Sequence, residues 1–403
     1  MASDLLQPRD GIPPLLSTPA EFEAAADVLA GGTGPFAIDT ERASGFRYDD
    51  RAFLIQIRRR GSGTLLFDPE SFRPELSRTL GPVINKQEWI IHAAATDLPS
   101  LAWLDLRPGK LFDTELAGRL AGFEHVNLAS MVEQIFDLHL RKGHGAEDWS
   151  QRPLPDDWLN YAALDVEMLP ELADVMAEML DQQGKLGWAE QEFDHIRSRF
   201  ADTTEPPTPA WTDMKGISTL KRPEQRVVAR EMWMERDAYA SGRDLAAGRV
   251  LSNKVIVETA RTLPRSPNAL AQVKGFPGRN ANTVKRWMRI INRALASPRQ
   301  TWPRPLPRTE SVPDRRYWSS FYSEEYEVLQ AVRADIDDLG AELNMPGENL
   351  IQPASLRAVV WMATNTGEIH DQESLMGALH SYDVRPWQVE QVSPILIDGL
   401  LTR

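Results

Sequence analysis

The sequence predicts an α/β domain built on a mixed sheet, followed by two blocks that are all helix. Three observations predict it. Within the first 200 residues, short β-type apolar runs alternate with helical stretches. Two proline-rich segments, 201–210 and 297–316, interrupt every periodic pattern. After the first of them the apolar spacing is helical throughout. At 403 residues the chain exceeds one ordinary domain. The resulting division is 1–200, 211–296, a linker at 297–316, and 317–403.

Candidate strands lie near 35–40, 52–59 and 63–68, then a helix, a strand at 88–92 and mostly helices, a βββαβα order. Gly61 and Gly63 make a tight hairpin between the second and third strands. In FAIDTE an apolar run enters Asp39 and Glu41, two residues apart and so on one face of a strand. The run Trp89–His92 leads to Asp97, just before a helical stretch at 98–104, and open α/β sheets place ligands at such strand-to-helix junctions. In YAALDVEML, Tyr161 and Asp165 are four apart in an apolar, proline-free stretch and stack on one helical face. His92 reads as a core histidine at a strand end, and Asp113, before Thr114 and Glu115, as a helix cap.

Four carboxylates and a phenol in this order suit phosphodiester cleavage by two divalent ions. One ion sharpens the attacking water and the other neutralises the leaving oxygen, about 4 Å away. Mg²⁺ and Mn²⁺ are hard ions that take oxygen ligands and keep several waters, so a few carboxylates suffice. The chain has no cysteine, which removes thiolate zinc sites, disulfides and cysteine nucleophiles together. A bare Asp-x-Glu occurs on the order of once in a chain this long, so specificity lies in the ordered combination.

At these residues the chain resembles the DEDD exonuclease superfamily in its tyrosine-bearing branch, the ribonuclease D family. The resemblance covers roughly 15–190 and includes LIQIRR after the first acidic pair, LFDTELAGRL after Asp97, and DWSQRPLPDDWLNYAALDVEML around the last acid. It implies an RNase H-like fold, with Asp39, Glu41, Asp97 and Asp165 holding two Mg²⁺ or Mn²⁺ ions and Tyr161 orienting the attacking water. It further implies hydrolysis of RNA from the 3′ end to nucleoside 5′-monophosphates, with transfer RNA precursors and other stable RNAs as substrates. RNA rather than DNA rests on the resemblance alone, because no 2′-hydroxyl contact is readable from these residues. A DNA 3′–5′ exonuclease and a catalytically silent RNA-binding scaffold are the alternatives, and the intact set of four acids and a tyrosine argues against the scaffold.

In the second block LKRPEQ, AREMWMERDAYA, GRDLAAGRVLSNKVIVETA and VKGF resemble the HRDC module, a helical nucleic-acid-binding domain. In the third, ADIDDLGAELNMPGENLIQPASLRAVVWMA repeats the pattern of ERDAYASGRDLAAGRVLSNKVIVETARTLP, so a second HRDC-like domain is expected.

A net charge of −13 is unusual beside a polyanionic substrate, but it is unevenly spread. From Lys274 to Arg316 eleven basic residues face two acids, whereas Tyr317 to Arg403 has fourteen acids and four basic residues. Lys274, Arg279, Lys285 and Arg286 around Trp287 are therefore the candidate RNA-contacting surface. Trp287 either stacks on a base or belongs to the core. Lys142 and Arg152 flank a Gly-rich loop and either touch phosphates or sit on a solvated surface; His144 in that loop is not read as a ligand. No stretch reaches the 18 or so apolar residues of a membrane span, and the N-terminus lacks a secretion signal, so a cytoplasmic location is expected. With no coiled-coil heptads and no obligate partner evident, a monomer is expected.

Overall fold

The computed structural model describes every residue except 1–2, 141–142, 206, 279, 305–311 and 403. Its strands are β1 (Ser3–Leu5), β2 (Leu15–Leu16), β3 (Thr33–Arg42), β4 (Ala52–Arg60), β5 (Gly63–Phe67), β6 (Glu88–Ile91), β7 (Lys110–Asp113) and β8 (Leu138–Leu140). Six of them form one mixed sheet in the order β2-β5-β4-β3-β6-β7. The meander β3-β4-β5 is antiparallel, while β2, β6 and β7 run parallel to their neighbours. Gly61, at φ 83°, and Ser62 close the two-residue hairpin between β4 and β5. β1 and β8 make a separate parallel pair.

Strand alternation sorts the two faces of this sheet. Ile38, Ile55, Ile57 and Phe67 join Phe22, Leu29, Leu76 and Leu80, from helices Pro19–Gly31 and Arg73–Ile84, in one large core. On the opposite face Leu54 and Leu66 pack with Trp149, Trp158, Leu159, Ala162 and Ala163, beneath the helix Asp156–Glu167. That second helix carries Tyr161 and Asp165 across the strand that carries Asp39 and Glu41.

The strand β7 is an addition to the sequence reading. Its four residues, KLFD, are too few to show alternation, so only the cap at its end was legible.

The two helical blocks share one element order. The first runs Pro223–Ser241, Ala247–Val250, Asn253–Thr262, Pro267–Ala271 and Ala281–Ala296; the second runs Ser323–Glu342, Gly347–Leu350, Pro353–Trp361, Gln372–Ser381 and Pro386–Leu401. Asp244 and Asn344, each in the turn after the long first helix, both take the left-handed conformation at φ 50°.

Their burial differs. The first block encloses its own core of Val228, Met232, Ile256, Trp287 and Ile291. Trp287, 2% exposed, thus belongs to that core and cannot stack on a base. The second block has no separate core: Trp318, Val359, Leu375 and Trp387 lie in the same continuous cluster as the sheet. Trp387 stacks on Trp188 with ring centroids 4.9 Å apart, and its indole N–H donates to Glu192 at 2.8 Å. Lys185 Nζ bridges the units, donating to the carbonyls of Leu120 at 2.8 Å and Leu343 at 2.6 Å. Among the described residues no helix is long and apolar enough to cross a membrane.

Candidate active site

The sheet and one helix bring the acids together. Asp39 and Glu41 project from one face of β3, and Asp165 approaches from the helix above. One carboxylate oxygen from each of the three lies within 4.8 Å of the others. Asp97 stands between the short helical turn Ala94–Thr96 and the helix Leu98–Ala102, beyond the end of β6. It is 3% exposed, and its charge acts on Asp39, Glu41 and Asp165 alike.

Neighbouring hydroxyls fix Asp97. Thr40 Oγ1 donates to one carboxylate oxygen at 2.5 Å and Thr96 Oγ1 to the other at 2.7 Å, while Ser100 Oγ donates to the Asp97 carbonyl at 2.9 Å. Asp113 holds the preceding turn. Besides capping its own helix through Glu115 N and Leu116 N, it accepts from the backbone N–H of Ala93 at 3.1 Å and Ala94 at 2.8 Å. Ala93 sits at φ 59°, a left-handed position that costs a non-glycine residue energy, and the buried Asp113 carboxylate holds it there. His92 is a satisfied core histidine: Nδ1 hydrogen-bonds Thr114 Oγ1 at 2.9 Å, the Val126 backbone is a further partner, and burial pushes its pKa down to about 4.

The electrostatics of the cluster are those of an anionic site short of cations. Burial first, and then the charges of Asp97 and Asp165, push Asp39 well above the usual carboxylate range. Glu41 is raised by burial and by Asp39, Asp165 and Asp97. Burial raises Asp97 against the lowering pull of Arg42, Thr40 and Thr96. Asp165 is pushed by burial to about 7, although the Tyr161 hydroxyl, in hydrogen-bonding reach, draws it down. Tyr161 itself is raised by burial and by Asp165, Glu41 and Asp39, so its hydroxyl stays protonated.

Three acids thus share one space, a fourth, Asp97, acts on them by its charge, and Arg42 is a cation that acts on Asp39, Glu41 and Asp97. Carboxylates so placed do not all ionise unless further positive charge joins them. An all-oxygen donor set at this spacing fits hard divalent ions such as Mg²⁺ or Mn²⁺.

Sequence reasoning missed Thr40, Arg42 and Ser100. Alternation sends residues 40 and 42 away from the face of 39 and 41, so neither draws notice. The register between β3 and β4 shifts after Glu41, whose partner is Leu54, to Arg42, whose partner is Ala52. Such an irregularity re-aims a side chain, and it leaves no trace in one sequence. The Arg42 guanidinium donates to the Thr96 carbonyl.

The other candidates separate. Arg152 is a structural staple rather than a phosphate contact. Its five N–H groups all have partners: Asp68 at 2.5 and 2.7 Å and the carbonyls of Trp149, Gln151 and Phe53. Arg286 donates to Glu235 at 3.1 Å and lies over Tyr239, so only part of it faces solvent. Lys274 and Lys285 are exposed. Lys142 and Arg279 lie outside the described residues. His144 sits edge-on to Tyr161, ring centroids 5.9 Å apart.

Comparison with known proteins agrees with the fold. Residues 15–181 match a family model described as 3′–5′ exonuclease, 225–291 match the HRDC domain, and 311–400 match a 3′ to 5′ exonuclease C-terminal domain. A ribonuclease D of Pseudomonas paraeruginosa is 26% identical over 379 residues, spanning 91% of this chain and 93% of its own. A crystal structure of a protein from Bifidobacterium adolescentis is 32% identical at TM-score 0.82, covering 99% of this chain and 100% of its own. Escherichia coli RNase D, at 22% identity, shares the fold with TM-score 0.66 over 92% of this chain and 99% of its own. Fold and site define a hydrolase of the 3′–5′ exonuclease class. Along nearly its whole length the chain is similar to ribonuclease D proteins.

Proposed function

We propose that the chain removes nucleotides from RNA 3′ ends by two-metal hydrolysis. The observation that carries this reading is the meeting of Asp39, Glu41 and Asp165 within 4.8 Å of one another, with the charge of Asp97 acting on all three and that of Arg42 on Asp39 and Glu41. Asp39, Glu41, Asp97 and Asp165 are the residues to hold two Mg²⁺ or Mn²⁺ ions, which when bound supply an activated water and neutralise charge on the departing oxygen.

The chain's own groups set the stage for that chemistry. Thr40 and Thr96 keep the Asp97 carboxylate in one orientation. Tyr161, protonated, donates a hydrogen bond and so orients a water rather than taking its proton. Arg42 offsets part of the charge on the acids.

The division into 1–200, 211–296, 297–316 and 317–403 belongs to the same reading, with the shared helix order of the two blocks supporting an HRDC-like fold for the last. Lys274, Lys285 and part of Arg286 remain its phosphate contacts, at a distance from the cluster in sequence and in domain. Transfer RNA precursors are the proposed substrates, since the relatives are named for ribonuclease activity and E. coli RNase D is described as acting in structured RNA processing. A cytoplasmic location belongs to the same reading, in keeping with a chain without cysteine, and a monomer is proposed with it.

The test is digestion of a 5′-labelled single-stranded RNA and its DNA twin with Mg²⁺, Mn²⁺ or EDTA, for the wild type and Asp165→Ala. A metal-dependent ladder shortening from the RNA 3′ end, reduced at least ~100-fold in the variant, is expected. Shortening of DNA alone overturns the substrate. No shortening with either metal overturns the enzyme in favour of a scaffold.

A further inference from the structure

Gln56 is fully buried, and neither the oxygen nor the nitrogen of its side-chain amide meets a hydrogen-bonding partner among the described residues. A buried amide with both ends free is costly, and a strand of this length offers many apolar residues that fit better. Its position is specific. On β4, Gln56 lies directly opposite Asp39 of β3, and on its other side opposite Leu66 of β5. Residues opposite in an antiparallel ladder point to the same face, with Cβ atoms about 5 Å apart. Leu54, two residues before Gln56 and opposite Glu41, and Leu66 both pack beneath the helix that carries Tyr161 and Asp165. The free amide is therefore enclosed between Asp39 and that helix, on the face where the acids meet.

We propose that Gln56 is a positioning residue for the metal-holding carboxylates: its amide N–H donates to the Asp39 carboxylate, through one enclosed water or directly once the site is loaded, and holds it aimed at the metals. Partners of this kind, one bond removed from a metal, set ligand orientation and basicity. Asn160, on the same helix, also carries an unpartnered buried oxygen, although its nitrogen is taken by the Leu6 carbonyl at 2.8 Å. A purely structural role would join Gln56 to Asn160 through a water and leave the metals untouched.

The inference rests on the two-metal reading above, and the experiment separates the two. Gln56→Met keeps the side chain's length and removes its polar atoms. Thermal unfolding of the full chain is followed in EDTA and across a Mn²⁺ titration, for the wild type and the variant. Expected are a metal-free midpoint equal to or above that of the wild type and a Mn²⁺ concentration for half-maximal stabilisation raised roughly 10- to 100-fold, with exonuclease activity lowered in step. Identical Mn²⁺ titrations in both proteins overturn the role of Gln56 and leave the metal site standing. A wild type that Mn²⁺ does not stabilise overturns the metal reading and, with it, this inference. A readout in the wild-type chain guards against a poorly folded variant. The side-chain amide resonance of Gln56 in a glutamine-labelled ¹⁵N spectrum, assigned by its absence in Gln56→Glu, shifts on saturation with Mg²⁺; an unmoved resonance overturns the proposal.

Discussion

Asp165 is a cluster acid whose protonation falls in the accessible pH range, with its carboxyl pushed to about 7 from an ordinary value of 3.8. A carboxylate raised in the folded state binds its proton more tightly there than in the unfolded chain. Its contribution to stability is present at pH 4 and below, and is lost as pH rises to about 7. In EDTA, urea unfolding of Asp165→Asn should therefore gain on the wild type between pH 5 and pH 8. Equal differences at both pH values would contradict the shift. Metal uptake runs the opposite way, because the ligands must lose their protons first, so Mn²⁺ affinity should rise through the same window. Tyr161 gives a separate prediction. Removing its hydroxyl in Tyr161→Phe takes away a group that lowers the pKa of Asp165, so the rising limb of the pH–rate profile moves to higher pH. Loss of water orientation lowers kcat by roughly 100-fold or more while Mn²⁺ stabilisation at pH 8 persists. At this scale Asp39, Glu41, Asp97, Tyr161 and Asp165 were legible because each sits in an ordered string with its neighbours. Thr40, Arg42 and Gln56 were not, because what distinguishes them is a register irregularity or a partner on another segment, neither of them local in sequence, and Ser100, three residues from the carbonyl it donates to, carries no pattern that marks it.

At the scale of elements, the acidic cluster depends on bonds made away from the acids themselves. Arg152 ties the loop before the Tyr161 helix to Asp68 and to the Phe53 carbonyl of β4. Arg152→Ala leaves the buried Asp68 without its cation, with only the Glu70 backbone N–H as a donor, and the Trp149 and Phe53 carbonyls without this partner, and should destabilise by about 2–3 kcal/mol in urea melts. The salt dependence of RNA binding should stay unchanged, which a phosphate contact would not allow. Composition alone placed this arginine at a phosphate as readily as in a staple, since a basic residue beside a Gly-rich loop fits both. Only the five partners decide it. Gly122 makes a second test. It caps the helix Thr114–Ala121 at φ 88°, and a Cβ there would stand 2.2 Å from the Asn344 carbonyl. Gly122→Ala should cost ~2 kcal/mol or more, combining a left-handed penalty with a collision between two segments. The strands of the β3-β4-β5 meander were visible from apolar runs and turn glycines, whereas β2 and β7, two and four residues long, borrow their definition from the neighbours they pair with.

Across the whole molecule, two helical blocks of the same element order meet the catalytic domain through the same turn and yet in different ways. Asn344, in the second, lies against Gly122 at the surface beside a hydrophobic core that is continuous with the sheet. Asp244, its counterpart in the first, makes a polar latch: it takes Arg51 at 2.9 Å, Arg47 at 3.4 Å and the Tyr48 backbone N–H at 3.3 Å, beside a Tyr48 hydroxyl that donates to Asp237 at 2.9 Å. The latched loop begins just after Glu41 and Arg42, so the position of the first block bears directly on the mouth of the cluster. Contacts of this type are partly exposed, weak singly, and screened by salt. The first block also has its own core, so it has no need of the catalytic domain to stay folded. Asp244→Arg should consequently release the block without unfolding it. Scattering should show a larger radius of gyration, and amide exchange should quicken across 43–51 while the helices Pro223–Ser241 and Ala281–Ala296 keep their protection. High salt should produce the same release in the wild type. Trp387→Ala, which removes a stacked indole and its bond to Glu192 from the shared core, should instead lower protection in the sheet and the last block together. Loss of protection in the first block's helices on Asp244→Arg would show that its core cannot stand alone, and the latch would then be part of its folding rather than a joint.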